Sequence, residues 1–80
     1  MSYELLNRIT TDSGVMLGKP VIKGTRLTVE YILRLLSRGM TVEGIVQEYS
    51  GLTEEDIRAC LLFATKALED TVFMPLPEPA

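Results

Sequence analysis

Few side chains in this sequence can do chemistry, and their spacing points to binding. There is no histidine, and the single cysteine, Cys60, sits inside an apolar helical run, so no activated nucleophile and no plausible four-ligand zinc site can be built. The carboxylates of Glu30, Glu43 and Glu54 to Asp56 fall where helices begin, and capping explains them without general acid or base work. Lys23-Gly24-Thr25 has the form of the end of a phosphate-binding loop, but the upstream glycine spacing and the strand-to-helix context are missing. The expectation is a protein that is not an enzyme and carries no cofactor and no metal. Cations are the chemistry that remains. Lys19, Lys23, Arg26, Arg34 and Arg38 could neutralise phosphates, with Arg58 and Lys66 adding to a flank. Arg34 and Arg38 can also be read as a solvated i, i+4 pair on the outer face of one helix, and Arg26 reads as a structural residue donating to loop carbonyls.

Three helices must position these groups, and each opens with a threonine followed by an acidic residue and an apolar periodic run. The caps are Thr28, Thr41 and Thr53, each contributing about 1 kcal/mol through a hydroxyl that accepts from an unpaired backbone amide. Val29, Ile32, Leu33 and Leu36 form the first apolar stripe, and Val42, Ile45, Val46 and Tyr49 form the second. Gly39 and Gly51 stand where a left-handed residue would end each helix. The helices are therefore expected at about 29–38, 42–49 and 54–70, the third burying Ile57, Cys60, Leu61, Ala64 and Leu68.

Helix two, the turn Ser50-Gly51-Leu52 and helix three have the skeleton of a helix-turn-helix. In a DNA-binding version the first turn of helix three would meet base edges, yet here it presents Glu54, Glu55 and Asp56, which repel phosphates. Contact with nucleic acid is better placed on the N-terminal arm and the first helix. Charge is divided in the same sense. Met1 to Gly39 holds six basic and three acidic residues, a net of +3, whereas Met40 onward holds two basic and eight acidic, a net of −6.

Ahead of the helices, short β-branched runs at Ile9-Thr10-Thr11, Val15-Met16-Leu17 and Val21-Ile22 alternate with turn signals, which reads as a short β-hairpin or extended arm. Residues 71–80 alternate proline and read as an extended or disordered tail. The fold expected is mainly α, a three-helix bundle with an N-terminal β arm, over a single domain of residues 1–70. Eighty residues with 46% apolar side chains and a mean hydropathy of +0.19 make one domain that buries only roughly 60% of its unfolded surface, so a partner or second copy would help. Helix three is apolar around most of its circumference once Leu62 and Phe63 are counted. Ala59, Leu62 and Phe63 are thus read as a protein interface in a homo-oligomer, the alternative being that the N-terminal arm covers them. No run approaches the about 20 apolar residues that span a bilayer, and the start lacks a signal pattern, so a cytoplasmic location is expected.

Arg8-Ile9-Thr10, the stretch Gly18-Lys19-Pro20-Val21-Ile22-Lys23-Gly24-Thr25-Arg26-Leu27-Thr28-Val29, and Leu52-Thr53-Glu54-Glu55-Asp56-Ile57 with Ala59 together resemble one family. It is the bacterial domain of unknown function 433, the VapB-type antitoxin-like proteins, and the resemblance runs from about Arg8 to Leu68. Gly18, Lys19, Pro20, Gly24, Thr25 and Arg26 are its most specific positions. The resemblance implies a homeodomain-like three-helical fold with an N-terminal β element. It also implies an antitoxin that dimerises, blocks a PIN-like nuclease toxin and can bind operator DNA. The alternative function is a homo-oligomeric protein-interaction module that binds no DNA.

Overall fold

A computed structural model describes residues 3–69, and the proline-rich tail expected at 71–80 lies outside the described residues. The protein is mainly α. A 3-10 helix, Tyr3–Arg8, leads into β1 (Ile9–Thr10); a loop containing a second 3-10 turn, Met16–Gly18, leads to β2 (Val21–Ile22); then come α1 (Val29–Ser37), α2 (Val42–Glu48) and α3 (Glu54–Leu68). The strands pair antiparallel, with Ile9 opposite Ile22 and Thr10 opposite Val21. Two-residue strands cannot hold themselves together. They are tied instead to the start of α1, where Val29 N–H donates to the Pro20 carbonyl at 2.9 Å and Ile22 N–H donates to the Leu27 carbonyl at 3.0 Å.

Each threonine caps its helix as the sequence implied. Thr28, Thr41 and Thr53 accept from the amides of Tyr31, Gly44 and Asp56 at 2.9, 2.9 and 3.2 Å. At α3 the cap is reciprocal, because Thr53 N–H donates to Asp56 Oδ2 at 3.0 Å, a capping box. Gly39 and Gly51, at φ 99° and 91°, close α1 and α2 in the left-handed region.

Ile22, Val29, Ile32, Ile45, Leu52, Ile57 and Cys60 form the buried core, with Leu33, Leu36, Met40, Val46 and Phe63 packed around it. On α3 the buried face differs from the one the spacing implied. Leu61 is 45% and Leu68 63% exposed, while Asp56, Ala59 and Cys60 are buried. The cause is the N-terminal segment, which packs along α3 and gives it a second covered side. Arg8 Nη1 donates to Asp56 Oδ1 at 3.1 Å, so the carboxylate that caps α3 also anchors this segment. Among the described residues no helix is long and apolar enough to cross a membrane.

One loop departs from low-energy backbone. Met16 and Leu17 both adopt positive φ, 49° and 59°, at a cost of roughly 1–2 kcal/mol for each side-chain-bearing residue. Asp12 organises the approach to it, accepting from Gly14 N–H through its carboxylate at 2.9 Å and from Val15 N–H through its carbonyl at 2.8 Å.

Replacing Asp56 with alanine removes the cap and the anchor of the N-terminal segment together. We expect Asp56→Ala to lower stability by about 2 kcal/mol, a fall in Tm on the order of 10 °C for a domain of this size, against a smaller loss in Arg8→Ala. Thermal unfolding followed by circular dichroism checks this.

Candidate functional site

Two glycines shape the segment that carries the strongest cluster of charge. Gly18, at φ 82°, turns the chain out of the strained loop into Lys19, and Gly24, at φ 78°, makes the tight turn after β2. Thr25 locks that turn, its hydroxyl donating to the Ile22 carbonyl at 2.7 Å and accepting from Leu27 N–H at 3.0 Å. With Val29 N–H donating to the Pro20 carbonyl and Val21 bridged to Thr28, Lys19 and Arg26 are brought beside the first turns of α1.

The result is a shallow hollow of about 340 Å³ lined by Met16, Lys19, Arg26, Glu30, Tyr31 and Arg34, among others. Glu30 stands between two of its cations. Lys19 Nζ lies 3.0 Å from Glu30 Oε1, and Arg34 Nη2 lies 3.1 Å from Glu30 Oε2. The Lys19 hydrogen bond first, then the charges of Lys19 and Arg34, hold the Glu30 carboxyl below its ordinary 4.5. These pairs are about half exposed, so solvent screens them and each contributes little to stability. What they set is local charge: the hollow holds three cations and one carboxylate, two of the cations paired with it.

Arg26 differs from the sequence expectation. It is exposed and, among the described residues, makes no hydrogen bond or ion pair, so the loop carbonyls are satisfied without it. Thr25 does the structural work in that turn, leaving the Arg26 guanidinium open to a ligand. Of the other predicted phosphate contacts, Arg34 joins Lys19 in the hollow, whereas Lys23, Arg38 and Arg58 are exposed on the β2 turn, the end of α1 and the outer side of α3 and do not line it. Lys66 pairs with Glu69 at 3.4 Å.

Tyr31 belongs to the same hollow and was not singled out by its spacing. Its ring meets Tyr49 edge to face, with centroids 6.0 Å apart, and the two hydroxyls are hydrogen-bonded. That bond, ahead of desolvation, pushes the Tyr49 hydroxyl above 10.0, so it stays protonated at neutral pH. The pair joins the wall of the hollow to the end of α2.

The predicted interface residues do not form one surface. Ala59 is 0% exposed, within the chain's own core, on a helix against which the N-terminal segment packs. Phe63 is half-buried against the core near Leu6 and Ile9, and Leu62 is half-buried. The arm thus covers much of this side. Cys60 is fully buried, and burial, with the nearby Asp56 charge, pushes its thiol up to about 12, which makes it a poor nucleophile.

A family model described as "Protein of unknown function (DUF433)" matches residues 9–64, from β1 into α3, a span that contains Gly18 to Arg26, Glu30 and Arg34. An uncharacterized protein of Archaeoglobus fulgidus is 53% identical over 30 residues, which is 38% of this chain and 83% of that protein. The crystal structure of a DUF433 member protein from Anabaena variabilis superposes with a TM-score of 0.73 at 24% identity, covering 86% of this chain and 79% of that one. The likeness to that structure is one of fold.

Because the Glu30 pKa is lowered in the folded protein, its contribution to stability is present above 4.5 and is lost as pH falls through the lowered value. Carboxyl carbon NMR titration should find the Glu30 midpoint below 4.5, moving back toward 4.5 in Lys19→Met. An unshifted midpoint in the wild type would show that the pairs do not persist in solution.

Proposed function

The chain belongs to the DUF433 family, and on that premise we propose that it is a non-catalytic, antitoxin-like binding module that contacts the DNA phosphate backbone through Lys19, Arg26 and Arg34. The observation that carries this reading is the hollow at the start of α1, where three cations meet one carboxylate and one of the cations is unpaired. Glu30 acts there as an internal counterion. A phosphate entering the hollow competes with Glu30 for Lys19 and Arg34 and meets Arg26 directly, a charge-assisted contact that positions the protein without reading sequence.

The carboxylates at the start of α3 support the same division of labour. Asp56 is committed to its cap and to Arg8, and Glu54 and Glu55 would repel a duplex, so α3 is not used as a recognition helix in the homeodomain-like arrangement that the resemblance implies. The VapB-type resemblance supplies the remainder of the proposal: a PIN-like nuclease toxin as protein partner, in the cytoplasm. The lack of histidine and the deeply buried Cys60 support a role without catalysis. A second reading, a protein-interaction module that never touches DNA, is favoured by the net charge of −3 and by leucines left exposed on the loop and α3.

Fluorescence anisotropy of the full chain with the duplex upstream of its own gene, over a salt series, separates the two. We expect a log–log slope of about −2 to −3, corresponding to two or three displaced counterions. Charge reversal at Lys19, Arg26 and Arg34 together should abolish binding, and Glu30→Gln should tighten it several-fold. No binding at low salt removes the DNA role. Co-expression with the neighbouring gene product tests the toxin partner: a co-purifying complex and relief of growth inhibition are expected, and the absence of both ends the antitoxin reading.

A further inference from the structure

Among the described residues, the most strained part of the backbone carries the most exposed large apolar side chain. Leu17 is 93% exposed at φ 59°, directly after Met16 at φ 49°, which is itself 45% exposed. Glycine takes either conformation more readily and a polar side chain sits better in water, so neither folding nor solubility accounts for a leucine at this position. Strain of this kind gathers where a side chain is held for contact. Backbone bonds hold it here. Val15 N–H donates to the Asp12 carbonyl at 2.8 Å, Gly18 N–H to the Val15 carbonyl at 3.0 Å and Lys19 N–H to the Met16 carbonyl at 3.1 Å, with Leu17 central in the last of these turns.

Both ends of that turn belong to the cation hollow. Met16 and Lys19 line it together with Arg26 and Arg34, and Leu17 stands in the chain between the first two. Charge along this stretch has one sign. Between Asp12 and Glu30 the sequence carries Lys19, Lys23 and Arg26 and no acidic residue. The flanking carboxylates are engaged, that of Asp12 by Gly14 N–H at 2.9 Å and that of Glu30 by Lys19 and Arg34. A rigidly held apolar side chain beside cations matches a partner that offers phosphates next to an apolar crevice. Duplex DNA is such a partner: phosphates edge its grooves, a parted base step exposes apolar ring faces, and leucine is among the side chains that proteins insert there from the minor groove.

We propose that Leu17 is a wedge that parts a base step of duplex DNA from the minor groove while Lys19, Arg26 and Arg34 hold the neighbouring phosphates, so that the bound duplex is kinked. This rests on the phosphate contacts of the DNA reading and adds to them a means of telling one sequence from another. The cations supply affinity and carry no sequence information. The wedge supplies discrimination, because pyrimidine–purine steps such as TA part readily and A-tracts resist. A chain whose α3 opens with Glu54, Glu55 and Asp56 thus selects sequence through the duplex's deformability, with no recognition helix in the major groove. Left-handed backbone at Leu17 serves that role, since a turn fixed by three backbone bonds does not fold the leucine away as the duplex approaches.

The test uses the full chain and a duplex of about 30 base pairs with a central TA step and a dye at each end, short enough against the roughly 150-base-pair persistence length to be straight when free. Saturating protein at low salt should raise energy transfer between the ends, reporting a kink of roughly 20–90°, and should brighten a fluorescent adenine analogue placed in the TA step as it unstacks. Leu17→Gly and Leu17→Asn both suit a left-handed backbone, so each should keep the circular dichroism spectrum and thermal transition of the wild type. Each should also keep the salt slope of about −2 to −3, yet leave the duplex straight and the analogue dim. Leu17→Phe should retain the kink. A wild type that binds and leaves the duplex straight overturns the wedge while the phosphate contacts stand. So does a kink that persists in Leu17→Gly and Leu17→Asn, the result expected if the leucine is seated in a protein partner instead. No binding at low salt overturns both readings together.

Discussion

The carboxylate of Asp56 ties the beginning of this chain to its end. One oxygen accepts from Thr53 N–H and starts α3; the other accepts from Arg8 and draws the N-terminal segment down on that helix. Asp56 is itself nearly buried, so the charge it brings inside requires both partners. With the segment in place, Phe63 packs both against the core and beside Leu6 and Ile9, and a short chain gains a core on two sides of one helix. Without it, Ile9 would lose its anchor and the two-residue strand pair would have only the start of α1 to hold it.

That frame explains why charge gathers where it does. Pairing of β1 with β2 and the backbone bonds from Pro20 and Ile22 to the beginning of α1 leave little freedom in the Gly18 to Thr28 segment. Lys19 and Arg26 are set at the mouth of a hollow whose far wall is Arg34, one helical turn beyond Glu30. Glu30 lowers the local repulsion among these cations without neutralising them. The cluster is solvent-exposed and adds little to folding, and a group that neither packs nor stabilises is available for binding.

Strain and exposed apolar surface meet at one place in the same frame. Beyond the Asp12 turn Met16 and Leu17 take left-handed conformations, and Leu17 is left 93% exposed. A small domain has little stability to spare for such a feature.

Much of the secondary structure was legible in the residues because its causes are local. A threonine cap acts on an amide three residues away, and a left-handed glycine ends a helix whatever surrounds it, so Thr28, Thr41, Thr53, Gly39 and Gly51 placed the helices to within a residue or two. The Gly18 to Arg26 motif was visible as a unit, and Lys19 and Arg34 were readable as cations on the arm and first helix. The faces were not readable. Periodicity assigns α3 a single apolar stripe and cannot say that a 3-10 helix some fifty residues earlier will cover another, so Leu61 and Ala59 changed places between core and surface. Thr25 likewise took the structural role read for Arg26, because which of two adjacent polar residues satisfies a turn depends on where the backbone carbonyls point. Local capping energies determined where the elements begin and end; the long-range contact between Arg8 and Asp56 decided which side of α3 meets protein and which meets water.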